Sequence, residues 1–198
     1  MKLRPNKIRL PTFLFSALVL LANGVAAREY PLFQPMSPQN FVFRFGAVSD
    51  QSSKGTSTAR IRMFEKSSEE KFPFLRLDFD VKARESKSPG FAGVMFKLNE
   101  ARLTESDVQN AILMRLRLSS PGLPVIMTLK DDRGGESSLE LTRFEPKGNS
   151  TWKYYEIPFS EFEKVNPAIR PFIDSITLQV NRPGPGSIDV AMIGINAP

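Results

Sequence analysis

Thr151-Trp152-Lys153-Tyr154-Tyr155-Glu156-Ile157-Pro158-Phe159, then Ile176-Thr177-Leu178-Gln179-Val180, then Gly186-Ser187-Ile188-Asp189-Val190-Ala191-Met192-Ile193 succeed one another near the end of the chain. Each stretch strings β-branched, aromatic and aliphatic residues between turns rich in Pro, Gly, Ser and Asn. That composition predicts three short strands, so the chain closes in sheet.

Toward the N-terminus the same signal recurs. Leu75, Leu77, Phe79 and Val81 alternate with Arg76, Asp78, Asp80 and Lys82, which predicts a strand with one face in a core and one in water. Ile112-Leu113-Met114-Arg115-Leu116-Arg117-Leu118 repeats the pattern. Residues 41–45, 59–64 and 90–98 read as further strands, with Gly93 leaving room for close packing or a bend. Residues 125–130 and 138–144 predict a hairpin around Asp131-Asp132-Arg133-Gly134-Gly135. Helix signals are weak: Ser160 would cap a short turn through Phe162 and Val165, and Pro167 and Pro171 break the segment from Asn166 to Phe172. Many short strands, almost no helix and no repeat or linker predict an all-β fold, a single antiparallel β-sandwich.

Residues 1–27 are excluded from that domain. Lys2, Arg4, Lys7 and Arg9 precede an apolar run over residues 10–22 and small residues at Val25, Ala26 and Ala27, which together predict an export signal cleaved before Arg28. No Cys follows that could carry a lipid, so the expected product is periplasmic or secreted, with no membrane attachment after cleavage. Residues 28–40 contain Pro31, Pro35 and Pro38 and read as a Pro-rich lead-in arm, with the sandwich at 41–198.

Composition closes several functional classes. Of the net charge of +6, four units belong to residues 1–27, leaving +2 for the rest, with no dense basic footprint for nucleic acid. Zero Cys and zero His remove disulfides, thiolate nucleophiles, the commonest general base and the usual transition-metal ligands. Asp78 with Asp80 and Asp131 with Asp132 are the carboxylate pairs, but a glycosidase needs its two carboxylates across a cleft. Turn chemistry alone accounts for the Asp131 pair. No catalytic residue is assigned, and the expectation is a non-enzyme.

Three stretches carry a resemblance: Gly55-Thr56-Ser57-Thr58-Ala59-Arg60 after a loop containing Asp50, Gly90-Phe91-Ala92-Gly93-Val94, and residues 152–162 with 186–193. In order, they resemble the galactose-binding-like jelly rolls that include carbohydrate-binding module family 11 and the complex I intermediate-associated protein family. The resemblance implies a jelly-roll sandwich and a carbohydrate or a protein as partner. Lys54 stands where the group commonly carries another glycine.

The residues add a site hypothesis. If the strands share a sheet, Arg76, Asp78 and Asp80, Arg115 and Arg117, and Thr177, Gln179 and Asn181 gather into one polar surface able to fork hydroxyls or a carboxylate. Trp152 offers a sugar-stacking ring, although its place at the head of a strand favours packing. Tyr154 shares its parity and Tyr155 faces the other way, and parity leaves open which one lines a cleft. The candidate ligand-binding set is Arg76, Asp78, Arg115, Arg117, Gln179 and Tyr155. No cofactor is expected beyond a structural Ca²⁺ to which Asp50 and Asp189 could lend oxygens.

Overall fold

The computed structural model describes residues 28–37, 42–68, 70–83, 90–98, 111–147 and 151–197, and the expected leader at residues 1–27 lies outside them. The strands are β1 (Arg28–Phe33), β2 (Val42–Ser49), β3 (Thr58–Phe64), β4 (Phe74–Val81), β5 (Ala92–Leu98), β6 (Ala111–Leu118), β7 (Val125–Asp131), β8 (Glu136–Glu140), β9 (Lys153–Pro158), β10 (Ile173–Val180) and β11 (Gly184–Ala197). One helix, α1 (Phe159–Val165), and 3-10 turns at Asp50–Ser53 and Leu141–Arg143 complete the described secondary structure. In the first sheet the order is β3-β4-β11-β6-β9 with β1 also on β11, and in the second it is β2-β5-β10-β7-β8. All pairings between these strands are antiparallel. The two sheets enclose one core, in which Leu77 and Leu116 from the first and Leu178 from the second are fully buried. The fold is a β-sandwich of the jelly-roll type.

Register follows from burial. Ile188 and Val190 of β11 face the core, and so do Ile193 and Ile195, although their parity differs. A register shift between Val190 and Met192 supplies the extra residue that reverses parity and keeps every aliphatic residue inside. The length of β11 also lets it take β4 along its first half and β1 near its end.

Two sequence expectations change here. Residues 28–33 are strand β1, not an arm outside the sandwich, because Leu32 and Phe33 are buried in the core and hold the segment to β11. Pro31 is accommodated where β1 has a neighbour on one side only and the register is irregular. The short helix begins at Phe159 after Pro158, with no side-chain cap, so Ser160 lies inside it; burial of Phe159 and Phe162 sets its place.

Two buried carboxylates tie loops to the sheets. Asp50 is fully buried and accepts hydrogen bonds from the Ser57 backbone N–H (3.0 Å) and hydroxyl (3.2 Å), while Ser57 Oγ accepts from the Lys82 N–H. A Cβ on Gly55 would fall 2.0 Å from the Asp50 carboxyl carbon, so only glycine fits at that point. Lys54, one residue earlier, has φ of 63° and occupies the left-handed region that glycine usually fills. Asp131 closes the β7–β8 hairpin, accepting from the N–H groups of Arg133 (2.9 Å), Gly135 (2.7 Å) and Arg170 (3.1 Å).

On the outer face of the first sheet, register places Asp189 of β11 directly between Arg76 of β4 and Arg117 of β6. Arg76 forks it through Nε (2.6 Å) and Nη2 (2.8 Å), and Arg117 Nε donates at 2.7 Å. The Asp189 side chain is only 2% exposed, so the three charges are held in a largely desolvated row.

Substitution at Asp189 and at Asp131 should have different signatures. Asp189→Ala leaves two guanidinium groups without their shared carboxylate and lowers unfolding stability by about 3 kcal/mol, the lower end for a broken buried pair because both arginines keep some solvent; urea denaturation reads this, and a loss below about 1 kcal/mol contradicts it. For Asp131, burial pushes the carboxyl up, but the N–H donors of Gly135, Arg170 and Arg133, with the Arg170 charge, outweigh it and hold the pKa below the ordinary 3.8. Its stabilisation is therefore complete above the ordinary value and is lost as the pH falls through the depressed one. Asp131→Asn costs about 1–3 kcal/mol near neutrality, and that gap to the parent shrinks on acidification below 3.8; denaturation curves with a constant gap would refute the assignment.

Candidate functional site

The first sheet's outer face is where the expected polar surface should lie, and most of its candidate charges are already paired. Arg76 and Arg117 share Asp189, Arg117 Nη1 also donates to Glu70 (2.5 Å), and Arg62 forks Asp78 Oδ2 at 3.0 and 2.6 Å. Aromatic rings pack among them. Phe64 stacks on Phe74 at 4.8 Å, and Trp152 meets Phe72 and Phe74 edge-on at 5.1 and 5.5 Å. The Arg117 guanidinium lies over Trp152 (4.6 Å) and that of Arg115 over Phe72 (4.9 Å). Trp152 Nε1 donates to Glu70 (3.3 Å), so this ring has the packing role its position predicted. Hydrogen bonding to Asp189 raises the Arg76 pKa; for Arg117, the donors' bonds to Glu70 and Asp189 outweigh a lowering by burial.

The candidate residues therefore separate. Arg76, Asp78, Arg115 and Arg117 share one face, as expected. Gln179 does not join them: it is on β10 in the second sheet, between Gly93 and Ile126, because β10 pairs with β5 and β7 and not with β4 or β6. Thr177 goes with it. Gly93 has the close approach foreseen for it, since a Cβ there would sit 2.4 Å from the Leu178 carbonyl oxygen. Of the two carboxylates considered for Ca²⁺, Asp189 lies between guanidinium groups and Asp50 accepts from Ser57. The described residues contain no group of three or more potential Asp, Glu, His or Cys metal ligands.

Tyr155 points inward and leads to a different place. Where β6 and β9 end, the turn after Leu118 and the segment around Pro146 leave a cleft of about 530 Å³, with Leu118, Pro121 and Pro146 as apolar walls and Ser120, Thr151 and Tyr155 among its polar groups. Arg117 and Lys153 also line it, so the cleft joins two of the six candidate residues, Arg117 and Tyr155. Gly122, at φ of 71°, lets the turn close.

Tyr155 is 6% exposed, yet its hydroxyl has no hydrogen bond to protein among the described residues. It is also not a fully enclosed unsatisfied atom, a condition found only for Asn196 Oδ1 among those residues. Tyr155 is among the residues that line the cleft. Burial pushes the phenol pKa above its ordinary 10.0, so the group stays protonated and able to donate at neutral pH. A concave, mostly apolar space with a few polar groups converging on it is the usual form of a small-ligand site. Ser120, Pro121 and Pro146 are not among the sequence candidates because turn residues carry no periodicity, and Thr151 enters only as the start of a strand stretch.

Known proteins of similar structure share the sandwich. The family 11 carbohydrate-binding module of the cellulosomal cellulase Lic26A-Cel5E of Clostridium thermocellum matches with a TM-score of 0.57 and 16% identity, covering 87% of this chain and 96% of that one. The family 30 carbohydrate-binding module of the cellulosomal cellulase Cel9D-Cel44B of the same organism matches at 0.63 and 13%, covering 86% and 98%. A β-1,2-glucanase from Parabacteroides distasonis matches at 0.60 and 13% over 86% of this chain but 25% of its own length. Identities this low establish a shared fold and nothing about ligands. No sequence match is found among curated proteins. The model of the family described as Complex I intermediate-associated protein 30 (CIA30) matches residues 34–180, most of the chain, and the chain belongs to that family.

Proposed function

We propose that this chain is a non-catalytic module that binds carbohydrate in the cleft at Tyr155. The observation that carries this reading is Tyr155, a residue 6% exposed that lines the cleft and whose hydroxyl has no protein partner among the described residues. A phenol hydroxyl with no protein partner keeps its donor and acceptor capacity for a ligand, and a sugar hydroxyl matches both. The surroundings suit the same ligand: Leu118, Pro121 and Pro146 offer apolar surface to the C–H face of a ring, and Ser120 and Thr151 offer hydroxyls at its edge. The structural likeness to two carbohydrate-binding modules supports the reading. Against catalysis, no Asp or Glu lines the cleft among the described residues, whereas glycoside cleavage uses two carboxylates across the bond.

A second reading, a protein-assembly module, is favoured by the family to which the chain belongs. The two separate experimentally. Tyr155→Phe removes a hydroxyl that bonds to nothing in the described protein, so unfolding stability changes by less than about 0.5 kcal/mol. Affinity for a retained oligosaccharide falls about 5- to 10-fold, the worth of one hydrogen bond. Affinity electrophoresis across a polysaccharide panel followed by calorimetry checks this. Unchanged affinity in the variant would place the ligand elsewhere, and no retention on any polysaccharide, with a protein recovered in stoichiometric amount, would favour assembly.

The reading includes export, on the strength of the basic and apolar stretches in residues 1–27. Cleavage before Arg28 would leave β1 whole, since that strand starts at Arg28. N-terminal sequencing of the protein from producing cells should begin at Arg28; an intact Met1 there would argue against export.

A further inference from the structure

We infer that the Tyr155 cleft is the middle of a longer groove that takes an anionic oligosaccharide, its charge on carboxylate or sulfate groups; this rests on the carbohydrate reading and specifies its ligand class. Two further hollows adjoin the cleft of about 530 Å³. One, of about 360 Å³, lies against Phe79, Arg182, Pro183 and Pro185 and shares Ser120 and Pro121 with it. The other, of about 190 Å³, reaches Leu141, Thr142 and Phe144 and shares Leu118, Gly122, Pro146 and Tyr155. The three thus lie side by side around the turn after β6, bordered by shared residues. Their combined volume exceeds that of a single sugar ring, which favours a chain of several rings.

The lining is one-sided in charge. Arg117 and Lys153 line the central cleft and Arg182 the hollow of about 360 Å³, and no Asp or Glu lines any of the three among the described residues. Arg117 is compensated by Asp189 and Glu70, and Lys153 has a partner. Arg182 has neither an ion pair nor a hydrogen bond among the described residues, and it is exposed at the end of the groove away from Tyr155. A guanidinium forks a carboxylate or sulfate oxygen pair, and with no acid beside it nothing in the lining competes. Pro121, Pro183, Pro185 and Pro146 form rigid walls, so little ordering cost attends the fit. The neutral part of the chain is read at Tyr155 and the charge at Arg182.

Calorimetry of the whole protein tests this with galacturonate oligomers from dimer to hexamer, sulfated oligosaccharides of matched length, and the same galacturonate chains after reduction of their carboxyl groups to neutral hydroxymethyls. The expected result is binding of an anionic series at least about tenfold tighter than its neutral counterpart at low salt, with the gap closing as salt rises. Affinity should also grow from dimer to a longer chain before levelling. Which anionic series binds identifies carboxylate or sulfate as the recognised group. In Arg182→Ala, a change at an exposed position, anionic and neutral chains should bind alike, and Arg182→Lys should restore part of the difference. Neutral chains binding as tightly as anionic ones, or a preference that survives Arg182→Ala, would overturn the inference while leaving the carbohydrate reading in place. If no chain of either kind binds, this inference falls, while the carbohydrate reading falls only when the polysaccharide panel also shows no retention.

Discussion

Asp189 accepts hydrogen bonds from Arg76 on one side and Arg117 on the other, and the three residues are direct cross-strand partners on β4, β11 and β6. Removing this carboxylate from water is costly, and two guanidinium groups in good geometry offset that cost only when the strands keep this register. A slip by one residue would turn Asp189 into the core and Val190 to the outside. The row therefore fixes the alignment of the first sheet's centre from its outer surface, while Ile188 and Val190 fix it from within. Phe74 and Trp152 lie against the same arginines, so the aromatic layer and the charge row hold each other in place.

This arrangement occupies the donors of Arg76 and Arg117. Arg76 and Arg117, paired with acids and covered by rings, have few donors left, and a ligand reaching them would have to displace an internal carboxylate that is already preorganised. The forked carboxylate that the sequence pattern foresaw for Arg76 is the protein's own Asp189. At the ends of β6 and β9 the situation is the reverse. The polar groups of Asp50 and Asp131 are satisfied by loop N–H groups, whereas the Tyr155 hydroxyl is held in a buried position with no such donor or acceptor among the described residues.

Much of the strand pattern was legible because it depends on local parity. Leu75, Leu77, Phe79 and Val81 are buried and Arg76, Asp78 and Asp80 are not, as their alternation requires. The loop motif at Gly55 was legible as a likeness, and its cause appears in the contact with Asp50. Other features were not local. The prolines of residues 28–37 argued against sheet, yet burial of Leu32 and Phe33 outweighed them, since β1 needs donors on one side only. Gln179 has the parity expected of an outer-face residue, but which outer face depends on strand order, and no property of residues 176–180 encodes that order.

The amino-acid sequence by itself determined the fold class, the two-sided character of the strands and the identity of the core, because a pleated strand sends neighbouring side chains to opposite faces and water sorts them. Only the tertiary structure decided which strands are neighbours, and so which charges neutralise one another and which polar group is left facing open space. The physical reason is that pairing, desolvation and enclosure are properties of residues far apart in the chain: Arg76 and Asp189 meet across 113 positions, and the cleft at Tyr155 exists only where two strand ends and two loops converge.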